Sequence, residues 1–194
     1  QDLHTKGRPL AVEVRDREGR LYTKTANTYR CTEPHPGVHV ATLEQTESAV
    51  YEGDATFRQT RARFTYDATG NLIRADAMGD VALLGDEGAT TTTYVSNPTA
   101  WILNRPSLTQ TLDAQGAVVA QRRFTYDGAT SIDTPPTAGH LTKEEEWRNL
   151  PTEQWLATTL TYDPYGNVAS VTDALGRTTT NTYDATGTYL LQIA

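Results

Sequence analysis

The sequence predicts an all-β protein made of consecutive antiparallel hairpins, and three observations carry the prediction. A short phrase recurs at Phe64-Thr65-Tyr66-Asp67, Phe124-Thr125-Tyr126-Asp127, Leu160-Thr161-Tyr162-Asp163 and Asn181-Thr182-Tyr183-Asp184. Self-similarity of this kind marks stacked supersecondary units. The residues leading into each copy, such as Arg61-Ala62-Arg63-Phe64-Thr65-Tyr66, alternate as successive side chains of a pleated strand do and end on aromatic and β-branched types that fit its surface. The third observation is aromatic composition: 10 Tyr stand against 3 Phe, which suits half-buried sheets whose tyrosines keep one end wet.

The elements follow in order. Asp16-Arg17-Glu18-Gly19 separates Leu10–Arg15 from Arg20–Thr25. Asp opens a type I turn because its carboxylate accepts from the backbone just ahead, and Gly closes it because positive φ costs it nothing. After Tyr66-Asp67 the same turn is completed by Gly70 and Asn71, after Tyr162-Asp163 by Gly166 and Asn167, and after Tyr183-Asp184 by Gly187. Pro164 sits where a fixed φ helps. Asn97-Pro98-Thr99-Ala100-Trp101-Ile102-Leu103 predicts a short helical turn within 97–104, with Asn as cap and Pro at the first helical position. Its Trp101, Ile102 and Leu103 are expected to plug the sheet. Asp113-Ala114-Gln115-Gly116 separates two further strands at 108–112 and 117–121. Asp133–His140 reads as a loop, since Pro135 and Pro136 cannot donate to a ladder. Lys143–Leu150 reads either as a short helix or as a charged strand edge. Asp173-Ala174-Leu175-Gly176, followed by Arg177, is another turn, and Tyr162 and Tyr183 lie 21 residues apart. One repeat is therefore about one hairpin and its return.

The expected organisation is a single continuous domain, with N-terminal strands over 1–53 and the repeat hairpins over 54–194. Starting at Gln1 and ending mid-pattern at Ala194, the sequence reads as part of a longer protein. A net charge of −7 argues against nucleic acid as a partner. The clusters Arg58, Arg61, Arg63 and Arg122, Arg123 read as solvated strand faces. A single cysteine, Cys31, excludes an internal disulfide. No apolar stretch has the length of a signal peptide or a membrane span.

Candidates for chemistry are few. Cys31, His35 and His39 have zinc-binding residue types, but Pro34 and Pro36 break the helix that would align them and no fourth ligand is close, so no metal is expected. Glu144, Glu145 and Glu146 could supply acid–base pairs, but neighbouring residues do not face one another, and with Lys143 and Arg148 they read as a charged face. Neither a Gly-x-Ser-x-Gly elbow nor a phosphate-cradling glycine loop is present. The expectation is a non-enzyme without cofactor.

The segment from Leu160 to Thr179, with Tyr162-Asp163-Pro164-Tyr165-Gly166-Asn167 and Asp173-Ala174-Leu175-Gly176-Arg177, resembles the Rhs or YD-repeat family. With its spaced repeats and the Pro98–Arg105 interlude, the chain is most similar to the B/C components of bacterial insecticidal toxin complexes. The resemblance runs from about Arg61 to the end, and is compositional only before Gly53.

What the resemblance implies is a curved, open sheet forming part of a hollow β-shell that encloses a C-terminal toxin or effector polypeptide. The implied role is encapsulation without catalysis, in a bacterial protein that is secreted or at the cell surface, with further YD-repeat segments as partners. The family's self-cleaving core and toxic tail have no matching residues here. The repeat residues Tyr66, Asp67, Gly70, Asn71, Tyr126, Asp127, Tyr162, Asp163, Gly166, Asn167, Asp173, Gly176, Arg177, Tyr183, Asp184 and Gly187 are expected to be scaffold, because a scaffold needs the same residue everywhere whereas a binding site needs a few special ones. The alternative is a cell-surface adhesion or carbohydrate-binding module, in which exposed aromatics such as Trp101 or Tyr165 stack on sugars.

Overall fold

The computed structural model describes residues 3–51, 56–149 and 151–194. The expected boundary between 53 and 54 lies outside them, as does Leu150. Among the described residues there are thirteen strands: β1 (Ala11–Arg15), β2 (Leu21–His35), β3 (Val38–Tyr51), β4 (Phe57–Tyr66), β5 (Leu72–Asp80), β6 (Gly88–Asn97), β7 (Ile102–Leu112), β8 (Val118–Tyr126), β9 (Leu141–Arg148), β10 (Gln154–Tyr162), β11 (Val168–Thr172), β12 (Thr178–Tyr183) and β13 (Leu190–Ile193). They form one open, unclosed sheet in sequence order, antiparallel throughout, as the hairpin repeats predict. The chain divides into two compact units, Gln1–Thr91 with Thr111–Val118, and Thr92–Gln110 with Val119–Ala194.

In the first unit β2 and β3 are far longer than their neighbours. β1 pairs with β2 only from Arg15↔Leu21 to Ala11↔Ala26, and β4 pairs with β3 only from Tyr51↔Phe57 to Gln45↔Arg63. Beyond those limits β2 and β3 pair with each other alone, as far as His35↔Val38. A 3-10 turn at Leu3–Thr5 rests on this arm, where the His4 ring stacks on His39 at 3.8 Å and the Arg8 guanidinium lies over Tyr29 at 5.6 Å.

The Tyr-Asp hairpins share one register fault. Tyr66 faces Leu72 while Thr65 faces Arg74, so Ile73 is an extra residue immediately behind the turn. The same bulge falls at Thr142 behind Tyr126, at Ala169 behind Tyr162 and at Leu191 behind Tyr183. Each such two-against-one pairing bends the return strand, and the Asp16–Gly19 turn, which has no tyrosine, has one as well, at Tyr22. The Asp173–Gly176 turn lacks the tyrosine, and β11 and β12 pair behind it without a shift.

Two expectations need correction. The helical turn is present at Pro98–Ala100, with the Asn97 side chain accepting from the Ala100 amide, but Trp101 plugs nothing. It adopts φ 56 and is 85% exposed, and strand β7 begins at Ile102. The segment from Lys143 is a strand, yet it is no edge: β9 lies between β8 and β10 and pairs with both. Three consecutive glutamates are tolerated there because alternate side chains turn to opposite faces. Glu144 and Glu146 meet Arg122 at 3.5 and 4.0 Å, and Glu145 meets Lys143 at 3.4 Å.

Little is buried. The buried apolar residues among those described are Ala41, Ala89, Val95, Tyr126 and Pro136, joined by Thr5, Ser107, Thr125 and Gly139.

Candidate functional site

The repeat aspartates organise their turns from within. Asp67 Oδ1 accepts from the amides of Thr69 and Asn71, both at 2.9 Å, and its Oδ2 accepts from Asn71 Nδ2 at 2.9 Å. Asp163 repeats this with Tyr165, Asn167 and Asn167 Nδ2. At Asp173 the fifth position is Arg177, whose amide and guanidinium both return to the carboxylate. Asp184 accepts from Thr188 and Tyr189. The hydrogen bond from Asn167 holds the Asp163 carboxyl below its usual range, and the one from Arg177 does the same at Asp173. The turn glycines Gly70, Gly166, Gly176 and Gly187 have positive φ, as do Gly19 and Gly116 in the turns without a tyrosine.

Asp127 is different. Gly128 follows it directly, Asp127 itself adopts φ 55, and the turn becomes a loop that runs to His140. Its Oδ2 accepts from the amides of Thr137, Ala138 and Gly139 at 2.7 to 3.0 Å, and its Oδ1 from His140 at 2.9 Å. Burial pushes this carboxyl up, but the amides of Gly139, Ala138, His140 and Thr137 overcome that and bring it down to about 2. The loop is further held by Asn97 Nδ2, which donates to Pro136 O at 2.8 Å.

Tyr126, Tyr162 and Tyr183 tie their hairpins to the strand before. Tyr162 OH donates to Leu141 O at 2.8 Å and Tyr126 OH to Pro106 O at 2.8 Å. Tyr183 OH and Asn181 Nδ2 converge on Val168 O at 3.4 and 2.9 Å. In the first unit Tyr29 OH and Asn27 Nδ2 converge on Pro9 O at the same two distances. Asn27, Tyr29 and Asn181 lie outside the predicted repeat set, although the repeated Asn-Thr-Tyr at 27–29 and 181–183 is a legible signal. Burial raises the Tyr126 hydroxyl to about 12 and also raises Tyr162 and Tyr66.

Successive turns also touch. The Tyr165 ring covers Gly187, where a Cβ would overlap it, and Asn167 Nδ2 donates to Gly187 O at 2.8 Å. His140 stacks on Tyr162 at 4.6 Å, and its Nε2 would lie 3.3 Å from a Cβ on Gly166.

The remaining candidates lie apart from this ladder. Cys31 and His35 are on β2 and His39 is on β3, and no three His, Cys, Asp or Glu among the described residues converge as a metal site. Glu144 and Glu146 line an open groove of about 400 Å³ with Asp173 and Arg177, while Glu145 points to the other face. The arginines are engaged: Arg61 with Glu47 at 2.7 Å, Arg58 with Asp80 at 3.3 Å, and Arg123 over Trp155 at 3.6 Å.

No protein-family model and no curated protein matches the chain. Solved structures do. A chain of the TcdB2-TccC3 crystal structure aligns with a TM-score of 0.56 at 13% identity, covering 95% of this chain and 15% of that one. The Tc holotoxin pore of Photorhabdus luminescens aligns at 0.34 and 18% identity, covering 94% of this chain and 10% of that one. A porin-like protein of Bacteroides uniformis aligns at 0.30 and 12% identity, covering 95% and 86%. The TcdB2-TccC3 alignment shows a shared fold, and the present chain spans 15% of the length of that relative.

Proposed function

We propose that the chain is a non-catalytic wall segment of an Rhs/YD-repeat shell, which encloses a C-terminal toxin or effector polypeptide. The observation that carries this reading is unburied surface. Among the described residues the buried apolar ones are only Ala41, Ala89, Val95, Tyr126 and Pro136, a small core for a chain of 194 residues. A sheet with so few buried apolar residues and two free edge strands is built to be continued by more of its own kind. Further YD-repeat segments are the partners this implies. The fold shared with TcdB2-TccC3 supports the same reading, and with it a secreted or cell-surface setting. Among the described residues no helix is long and apolar enough to cross a membrane.

A wall of this kind works by excluding the host from its cargo, which needs no reactive group. The test is limited proteolysis of the full-length polypeptide that contains this chain. A C-terminal segment should survive native digestion and be degraded after denaturation. Equal rates of loss in both conditions would overturn the reading. The second reading, glycan binding, is favoured by one observation, the solvent-facing indole of Trp101. Specific binding on a glycan array, abolished by Trp101→Ala or Tyr165→Ala, would replace the first reading with the second.

A further inference from the structure

We propose that Arg105 anchors a carboxylate-binding site in the second unit, which takes the planar anion of a free organic acid or of an acidic side chain on another polypeptide. The site would hold its ligand whether or not the chain is part of a shell.

Arg105 lies on β7, outside both arginine clusters of the sequence. Among the described residues three arginines are half-buried: Arg61, Arg105 and Arg123. Arg61 pairs with Glu47 at 2.7 Å, and Arg123 lies over the Trp155 ring at 3.6 Å. Arg105 has neither kind of partner among the described residues, and its Nε is buried without an acceptor. A donor or a cation withdrawn from water with nothing to answer it is costly. An acceptor brought from outside the chain removes that cost.

Packing rather than bonding fixes the guanidinium. The loop gathered by Asp127 closes on it so tightly that a Cβ on Gly139 would fall 2.8 Å from Nε and 3.2 Å from Nη2. The loop in turn is tied down by four amides on the Asp127 carboxylate and by Asn97 Nδ2 on Pro136 O. Arg105, Tyr126, Gly139, His140 and Tyr162 all belong to the second unit. Burial raises the Tyr126 and Tyr162 hydroxyls, and the Arg105 charge pulls against that rise, so the cation lies close to both. A side chain held in one place has already lost its rotamer freedom, and an anion that meets it does not bear that cost.

The surroundings select the class of anion. The amides of Thr137, Ala138, Gly139 and His140 are spent on Asp127, and the Tyr126 and Tyr162 hydroxyls on Pro106 O and Leu141 O. What remains is one positive charge with a planar fork of donors. Gly139 covers the Nε side, so the terminal nitrogens are the ones an anion meets. A carboxylate matches them in shape and in charge. Phosphate would bring nearly two negative charges to one cation, with the loop amides already taken and Asp127 near enough to act on Tyr162.

The test follows the Arg105 Nε–H signal by heteronuclear NMR of the whole chain, assigned by its loss in Arg105→Lys. At constant ionic strength sodium acetate should shift the signal saturably, and sodium chloride should not. Phosphate should bind more weakly than acetate. The Gly139 amide, titrated in the unaltered chain, gives the same readout without a substitution. In Arg105→Lys, which keeps the charge but loses the fork, acetate should bind about threefold to tenfold more weakly. The blocked tripeptides Ala-Glu-Ala and Ala-Gln-Ala separate the two sources of carboxylate. Tighter binding of the glutamate peptide than of acetate identifies an acidic side chain as the ligand, and equal or weaker binding identifies a free organic acid. An Nε–H that exchanges with water too fast to be seen, an acetate response no larger than that of chloride, phosphate bound as tightly as acetate, a glutamine peptide that binds as well as the glutamate one, or unchanged affinity in Arg105→Lys would each overturn the site.

Discussion

Replacing Asp127 by asparagine removes the charge around which residues 137–140 are arranged. Its carboxyl sits at about 2 against an ordinary 3.8, because four amides outweigh the opposing effect of burial. At about 1.4 kcal/mol per pKa unit, the difference corresponds to about 2.5 kcal/mol. Partial exposure of the side chain reduces that to roughly 1 to 2 kcal/mol. The folded value lies below the unfolded one, so the stabilisation is complete above about pH 4 and is lost as pH falls through about 2. The substituted side chain would carry no charge, and its amide nitrogen would face donors, so Asp127→Asn should forfeit the stabilisation at neutral pH. For a chain of this length that lowers Tm by about 2 to 8 °C. Thermal unfolding of both proteins from neutral to acid pH supplies the assay, and the difference curve isolates this one carboxyl from the other turn aspartates. The gap should hold steady down to about pH 4 and then close. A gap of constant size through the whole acid range would refute the reasoning.

Gly187→Ala should cost about 2 kcal/mol or more and Gly176→Ala about 1, because both have positive φ but only at Gly187 does a Cβ strike the Tyr165 ring. A double-mutant cycle with Tyr165→Ala should recover the excess, and additive effects would count against the contact. Gly166→Val should lower stability by about 1 kcal/mol or more, since a β-branched residue resists that φ. Glu145→Ala, which loses only an ion pair with Lys143, should be nearly silent in urea unfolding. Tyr162→Phe should cost about 1 kcal/mol by stripping Leu141 O of its partner. Tyr183→Phe should cost less, because Asn181 still serves Val168 O, and the order of the two midpoints in denaturant checks this.

The hairpins were legible because their instructions are local. Asp67 and Gly70, or Asp163 and Gly166, act on atoms within five residues, and turn chemistry of that range can be read from adjacent letters. The Asp127 loop was not legible, because its donors lie ten to thirteen residues ahead and Gly128 breaks the expected spacing. The β2–β3 arm was hidden for a related reason. Pro34, Pro36 and Gly37 point to a loop beside the candidate metal ligands, while strand length is set by pairing across the hairpin and has no sign in any one residue. The place of Trp101 was not legible because an apolar residue after a capped turn can be buried or presented, and only its neighbours decide. The clamps of Asn27 with Tyr29 and Asn181 with Tyr183 were visible as a repeated tripeptide, but the carbonyl each pair shares lies on another segment of the chain.

A sheet with this little buried apolar area cannot rely on a core to fix its register. Slipping one strand by one residue exchanges its two faces, and where both faces are partly wet the hydrophobic penalty for doing so is small. Position must therefore be read by groups that tolerate no slip. A tyrosine hydroxyl that reaches Leu141 O from Tyr162 would, one residue out of step, meet the side of the ladder where no carbonyl is aimed at it. The bulge behind each Tyr-Asp turn has the same effect from the other direction, since an extra residue at Thr142, Ala169 or Leu191 fits only one alignment. At the Tyr126, Tyr162 and Tyr183 hairpins clamp and bulge sit at the same end, so each of these repeats holds its register at two points. An open sheet can then grow strand by strand without a second layer to guide it.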